Sequence, residues 1–176
     1  MIEYGTSRAA AWDCPVTVSA SLEQYRRHPR TEDNLEIMRR WEDVRARRWL
    51  TEEQKQMLRD PNQEHILLVN EKREYELVPY EKICGSDKGC GSIRAFLFER
   101  GEERWVVYWH CSEEGMLKLP LKAEDVSVCR ELYEEAVCAS ETEDGIVIPV
   151  GNRRYLRSRL SKDELVNAFS QAQMLK

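Results

Sequence analysis

The stretch IRAFLFERGEERWVVYWHCSEEGMLKLPL, Ile93 to Leu121, decides the fold. Trp105, Val107 and Trp109 alternate with Val106, Tyr108 and His110, the period of two that sets the opposite faces of a pleated strand. Arg100 to Glu103 form a turn between the Phe96 to Glu99 run and the Trp105 run, and Gly101 can adopt the positive φ that a tight hairpin connection needs. Three consecutive antiparallel strands joined by two tight turns are therefore predicted.

Strand signals continue on both sides of this ribbon. Upstream lie His65 to Val69 and Tyr75 to Val78; downstream lie Val126 to Leu132, Ile146 to Val150 and Arg153 to Leu156. Turn chemistry separates them at Asn70-Glu71, Gly85 to Gly91, Glu113 to Gly115, Asp144-Gly145 and Gly151-Asn152. Short strands at such spacing predict a sandwich or a sheet curling on itself. A helix closes the chain, because Ser161 and Glu164 make a capping box and Leu165, Phe169 and Ala172 give one apolar face.

The front of the chain has a different texture. Thr31 is a candidate N-cap for a helix through EDNLEIMRRWEDVRAR, where Ile37, Trp41 and Val44 recur at i, i+4 and i+7 with Leu35 and Met38 beside them. Thr51 and Gln54 form a capping box for a further helical stretch that Pro61 ends, so two helices, or one with a break near Leu50, both fit. The first residues, MIEYGTSRAAAWDCPVTV, read as a short strand-like piece running into a loop rich in small residues, with Pro15 and Pro29 opposing helix there. The predicted class is α+β: an N-terminal helical segment, 1–60, followed by an antiparallel β-sandwich with a C-terminal helix, 61–176.

Bulk composition excludes several functions. The 176 residues have a charged fraction of 34% but a net charge of only -5, so signs are interspersed and no basic field exists to neutralise a phosphate backbone. Nucleic acid is not an expected partner. Neither a run of about 18 apolar residues nor a secretory leader is visible, so no membrane contact and a cytoplasmic location are expected. On that basis the six cysteines, Cys14, Cys84, Cys90, Cys111, Cys129 and Cys138, are expected as free thiols.

Candidate chemistry is sparse. Cys84, Cys90, His110 and Cys111 are soft ligands that a meander would bring together on zinc, but the five-residue gap in CGSDKGC is looser than a zinc knuckle and adjacent His110 and Cys111 point to opposite faces of a strand. A glycine-rich loop with reduced thiols is the plainer reading, and no metal or cofactor is expected. Asp13 beside Trp12 suits a sugar, whose C–H face stacks on the ring while its hydroxyls meet the acid. The plainer alternative is a turn aspartate and a packed tryptophan. A glycosidase needs a second carboxylate on the order of 5 to 10 Å away, and the sequence names none. Tyr80, Trp105, Tyr108 and Trp109 are either an exposed sugar-binding platform or the core of the sheet. His28, His65 and His110 have no nucleophile at motif spacing.

The succession AFLFERGEERWVVYWHCSEEGMLKLPL, AEDVSVCRELYEE and DGIVIPVGNRRYL resembles the C-terminal β-sandwich appended to bacterial glycoside hydrolases with (β/α)8 barrels. The likeness spans about Gln63 to Leu160. Upstream, EYGTSRAAAWDCPVTV with the Thr31 to Arg48 helix looks like the last strand-loop-helix unit of the preceding barrel. The resemblance implies a C-terminal piece of a longer carbohydrate-active protein, with Trp12 and Asp13 at the substrate-cleft rim and no residue of this chain matched to a catalytic role. It further implies a noncatalytic accessory module that packs against a barrel domain or another chain through its N-terminal helices, with carbohydrate as a possible partner. The alternatives are a carbohydrate-binding module that uses exposed Trp105 or Trp109, and a zinc-stapled interaction domain.

Overall fold

The computed structural model describes residues 2–85, 89–137 and 139–175. Its described residues form helices and two antiparallel sheets, the expected α+β class, divided into two compact units: Met1–Leu68 with Tyr75–Tyr80, and Val69–Glu74 with Glu81–Lys176.

The first unit contains α1 (Ile2–Ala11), α2 (Leu22–Arg27), α3 (Thr31–Ala46) and α4 (Glu52–Arg59), then most of β1 (Glu64–Val69) and the start of β2 (Tyr75–Cys84). The strand expected near the N-terminus is instead helix α1. Its buried positions are Glu3, Thr6, Ser7, Ala10 and Ala11, spaced i, i+3, i+4, i+7 and i+8. This is a helical stripe built from small and polar side chains, so a search for apolar periodicity passes over it. The hydroxyls are satisfied within the helix, Thr6 Oγ1 donating to Ile2 O at 2.9 Å and Ser7 Oγ to Tyr4 O at 3.0 Å. Glu3 accepts from Trp41 Nε1 at 2.6 Å and from the Leu67 amide at 3.3 Å. Ala10 and Ala11 join Ile37, Trp41, Val44, Leu50, Leu58 and Leu67 in the core of the unit.

The expected stripe of α3 is buried, with Ile37, Trp41 and Val44 at 4%, 1% and 0% exposure. Thr31 is not its cap. It is the first helical residue, its Oγ1 donating to Tyr25 O at 2.6 Å, and Arg30 precedes it without a side-chain cap. The Thr51–Gln54 capping box starts α4 as expected, and a Ser21–Gln24 box of the same kind starts α2.

In the second unit the end of β2 pairs with β3 (Ile93–Arg100), which pairs with β4 (Glu103–His110), followed by β9 (Arg154–Ser158) and β6 (Val126–Cys129). The hairpin has the expected form, with Arg100 opposite Glu103 and Gly101 at φ +64° in the turn. The third strand of the stretch, β5 (Gly115–Leu119), leaves this sheet. It lies between β8 (Gly145–Val150) and β10 (Gln173–Leu175) in a second sheet that ends at β7 (Ser140–Thr142), while β9 occupies the edge of β4. His110 marks the departure, its Nδ1 accepting the Glu113 amide at 2.9 Å as the chain turns away.

The two sheets share one core. Ala95, Leu97, Val106, Tyr108 and Leu156 from the first meet Leu117, Leu119, Ile146 and Ile148 from the second, and α5 (Lys162–Ser170) adds Leu165, Ala168 and Phe169. The Ser161–Glu164 capping box starts α5, as expected. Among the described residues no helix is long and apolar enough to cross a membrane.

Candidate functional site

Trp12 and Asp13 sit at the carboxyl end of α1, where four backbone carbonyls lack intrahelical donors. The Asp13 amide donates to Ala10 O at 3.1 Å and the Cys14 amide to Ala9 O at 2.8 Å. These are the two bonds of a Schellman cap, whose left-handed residue is Asp13 at φ +54°. Aspartate is one of the few residues with a side chain that accept this conformation. The local sequence thus fixes Asp13 for a backbone reason.

Helix α4 completes the arrangement. Arg59 donates to Ala11 O through Nε at 3.1 Å and Nη2 at 2.7 Å, and its guanidinium carbon lies 4.2 Å from the Trp12 ring centroid. In return Arg8 of α1 donates to Leu58 O at 2.7 Å and Asp60 O at 2.6 Å. Each helix therefore places an arginine on the terminal carbonyls of the other, cation against the negative end of the dipole. Lys55 Nζ meets Asp13 Oδ2 at 2.8 Å and Glu52 Oε1 at 3.1 Å. The Lys55 hydrogen bond, with its charge and those of Arg59 and Arg45, holds the Asp13 carboxyl below the usual carboxylate range against an opposing desolvation. Asp13 raises the Lys55 ammonium above its usual value, aided by Glu52.

This geometry limits the chemistry. Asp13 is an ionised carboxylate with a lysine between it and Glu52, so the two acids do not flank an open space for a scissile bond. Trp12 remains 62% exposed, with Arg59 against its ring. Sequence reading missed Arg8, Lys55 and Arg59. Arginines in the last turns of α1 and α4 are a C-terminal helix signal, but one that becomes legible only when residues 2–11 are recognised as helical.

The aromatic platform does not exist as an exposed surface. Tyr80, Trp105, Tyr108 and Trp109 are 4%, 5%, 0% and 5% exposed. Trp105 stacks on Phe98 and Trp109 on Phe96, with centroids 6.2 and 5.4 Å apart. Tyr108 donates to Pro149 O at 3.0 Å, and burial pushes its phenol well above the usual range. Tyr80 donates to Glu64 Oε2 at 3.1 Å.

The expectation of free thiols is corrected for one pair, because Cys84 and Cys90 are joined by a disulfide. Cys14, Cys111 and Cys129 are free, and burial, followed by Glu131 and Glu134, pushes the Cys129 thiol up to about 11. Ser86 to Lys88 of the CGSDKGC loop, and Cys138, lie outside the described residues. His110 Nδ1 is engaged by backbone amides, and His28 Nδ1 accepts the Arg30 amide at 3.1 Å. Among the described residues, no three His, Cys, Asp or Glu side chains gather into a metal-ligand group.

Two of the surface cavities bear on binding. One of about 550 Å³ in the second unit is bordered by Asp125, Glu141, Glu143, Asp144 and Glu164 together with Lys122. Lys118 pairs with Asp144 at 3.1 Å and Glu164 caps α5, so two of these five acids already have structural duties. The other, of about 360 Å³, lies in the first unit and is lined by Ile2, Val18, Tyr25, His28, Leu35 and Met38 among others. Ile2, Val18 and Leu35 stay 37%, 45% and 44% exposed around it. No protein-family model, curated protein or solved structure matches the chain.

Proposed function

We propose that this chain is a noncatalytic accessory module that packs against another protein domain through its helical unit. The reciprocal clasp between α1 and α4 carries the reading. The two residues that sequence offers for sugar chemistry, Trp12 and Asp13, are engaged in terminating and joining helices, and Asp13 is held in the form that cannot donate a proton. The apolar groove beside Ile2, Val18 and Leu35 supplies the packing surface. The carbohydrate-active context rests on the sequence resemblance of Gln63 to Leu160 alone. Purified chain should leave a panel of chromogenic aryl glycosides intact across the pH range, and Asp13→Asn should lower the melting temperature. Turnover above the buffer rate that Asp13→Asn abolishes would overturn this reading.

The exposure of Trp12 favours a second reading, in which its ring and Asp13 contact a carbohydrate without hydrolysing it. Tryptophan fluorescence titrated with oligosaccharides tests it. A saturable change that Trp12→Ala removes supports sugar contact, and a flat titration rejects it.

A further inference from the structure

The connection between β2 and β3 has a cysteine at each end. Cys84 is fully buried on the last residue of β2, and Cys90 is half-buried just before β3. Their Cα atoms lie 5.8 Å apart, inside the span of a disulfide, and the sulfurs are joined. The backbone closes the same loop independently. Gly85 O accepts the Cys90 amide and Cys90 O accepts the Ile93 amide, at 3.0 and 3.1 Å. These hydrogen bonds hold the two ends of the loop together alongside the covalent bond.

The other partner of the pair is α5. Cys84 Sγ lies 3.7 Å and Cys90 Sγ 3.9 Å from Phe169 O in the last turn of that helix, within reach of a thiol donor. A buried thiol without an acceptor would carry a desolvation penalty on reduction; here the carbonyl is already in place. Both the disulfide and the dithiol thus fit the same backbone. From this geometry we infer that Cys84 and Cys90 form a reversible redox clip, operated by exchange with a small-molecule thiol–disulfide couple and read out as the stability of the second unit.

Cys90 is the entry point because it is the more exposed sulfur. In oxidation its thiolate attacks a disulfide RSSR, forming a Cys90–SR mixed disulfide and releasing one RS⁻. Cys84, deprotonated in turn, attacks Cys90 Sγ and releases the second RS⁻. The protein loses two electrons and two protons, and RSSR leaves as two RSH. Reduction runs the same steps backwards.

The test equilibrates the full chain across glutathione to glutathione-disulfide ratios, traps thiols by alkylation after acid quench, and locates them by peptide mass spectrometry. Two fewer alkylated cysteines at the oxidising end, mapped to Cys84 and Cys90 and fully reversible, are expected. Reduction should lower the melting temperature of the second unit by about 9 to 19 °C, the loss anticipated for opening so short a ring in a domain of that size. Cys90→Ser, at the half-buried position and so the milder change, should melt at the reduced value and ignore the couple. Full alkylation at every ratio would overturn the inference. So would a crosslink that the folded chain never releases, or a glutathione-dependent melting shift that persists in Cys90→Ser.

Discussion

Replacing Glu3 tests whether residues 2–11 dock as a helix. The Glu3 carboxylate is buried at 5% exposure and accepts from Trp41 Nε1 at 2.6 Å and the Leu67 amide at 3.3 Å. Trp41 and Leu67 are themselves 1% and 0% exposed, so water cannot replace the lost acceptor. Each buried donor left unsatisfied costs about 1 to 3 kcal/mol, and the longer bond to Leu67 belongs at the low end. Recovery of the desolvation cost of the carboxylate offsets part of this. Glu3→Ala should therefore destabilise the helical unit by about 2 to 4 kcal/mol. Glu3→Gln keeps a neutral acceptor and should lose about 1 kcal/mol. Urea unfolding followed by far-UV circular dichroism measures both. Combined with Trp41→Phe, Glu3→Ala should fall short of additivity by about 1 kcal/mol, since each change removes the same bond. A Glu3→Ala chain within about 0.5 kcal/mol of wild type, or one strictly additive with Trp41→Phe, would refute the docking of α1.

Gly5 lies in the interior of α1 with open space where a Cβ would stand, so Gly5→Ala should stabilise the unit by about 0.5 to 1 kcal/mol in the same urea assay. Gly145 is the opposite case: at φ +144° an added Cβ would meet Leu119 O at 2.1 Å, and Gly145→Ala should lower the melting temperature by disturbing the β8 start. Two pH windows are expected. Burial, with Arg8 nearby, lowers the His65 imidazole below its usual value, so the unfolded chain binds the proton more readily and stability should fall as pH drops below about 6.5. His65→Leu should flatten that slope in denaturation curves. Arg39 and Arg40 hold Glu36 at about 2, so its contribution is present above its unfolded value and should be lost as pH falls from there towards 2. Glu36→Gln should remove this acid-side loss. Leu35→Asp should leave stability within about 0.5 kcal/mol while weakening binding of an apolar fluorescent dye to the groove.

The ribbon around Trp105 was legible because its signal is local. Alternation and a turn glycine specify a hairpin, and Ala95 opposite Tyr108 and Leu97 opposite Val106 carry the core face. The partners of β5 were not legible, since pairing with β8 and β10 depends on residues about 30 and 60 positions away that no local period encodes. The strands β7 and β10, three residues each, are too short to show a period at all. Helix α1 carries no apolar period because its buried stripe is Glu, Thr, Ser and Ala. That composition allows close approach to α3 and α4 and leaves no apolar signature. What surrounds Trp12 and Asp13 is a helix terminus and two basic residues more than 40 positions away, which no local pattern encodes.

The brevity of β7 and β10 has a consequence for the chain in crowded solution. Both ends of the second sheet offer an incoming strand only a three-residue template, and β7 adds the exposed charge of Glu141. Without Gln173 to Leu175, the bare flank would be β5, five residues long and carrying Met116, Leu117 and Leu119. Strand β10 thus acts as a guard on a sticky edge, and proteolytic cleavage that removed it would expose β5 as a template for intermolecular pairing.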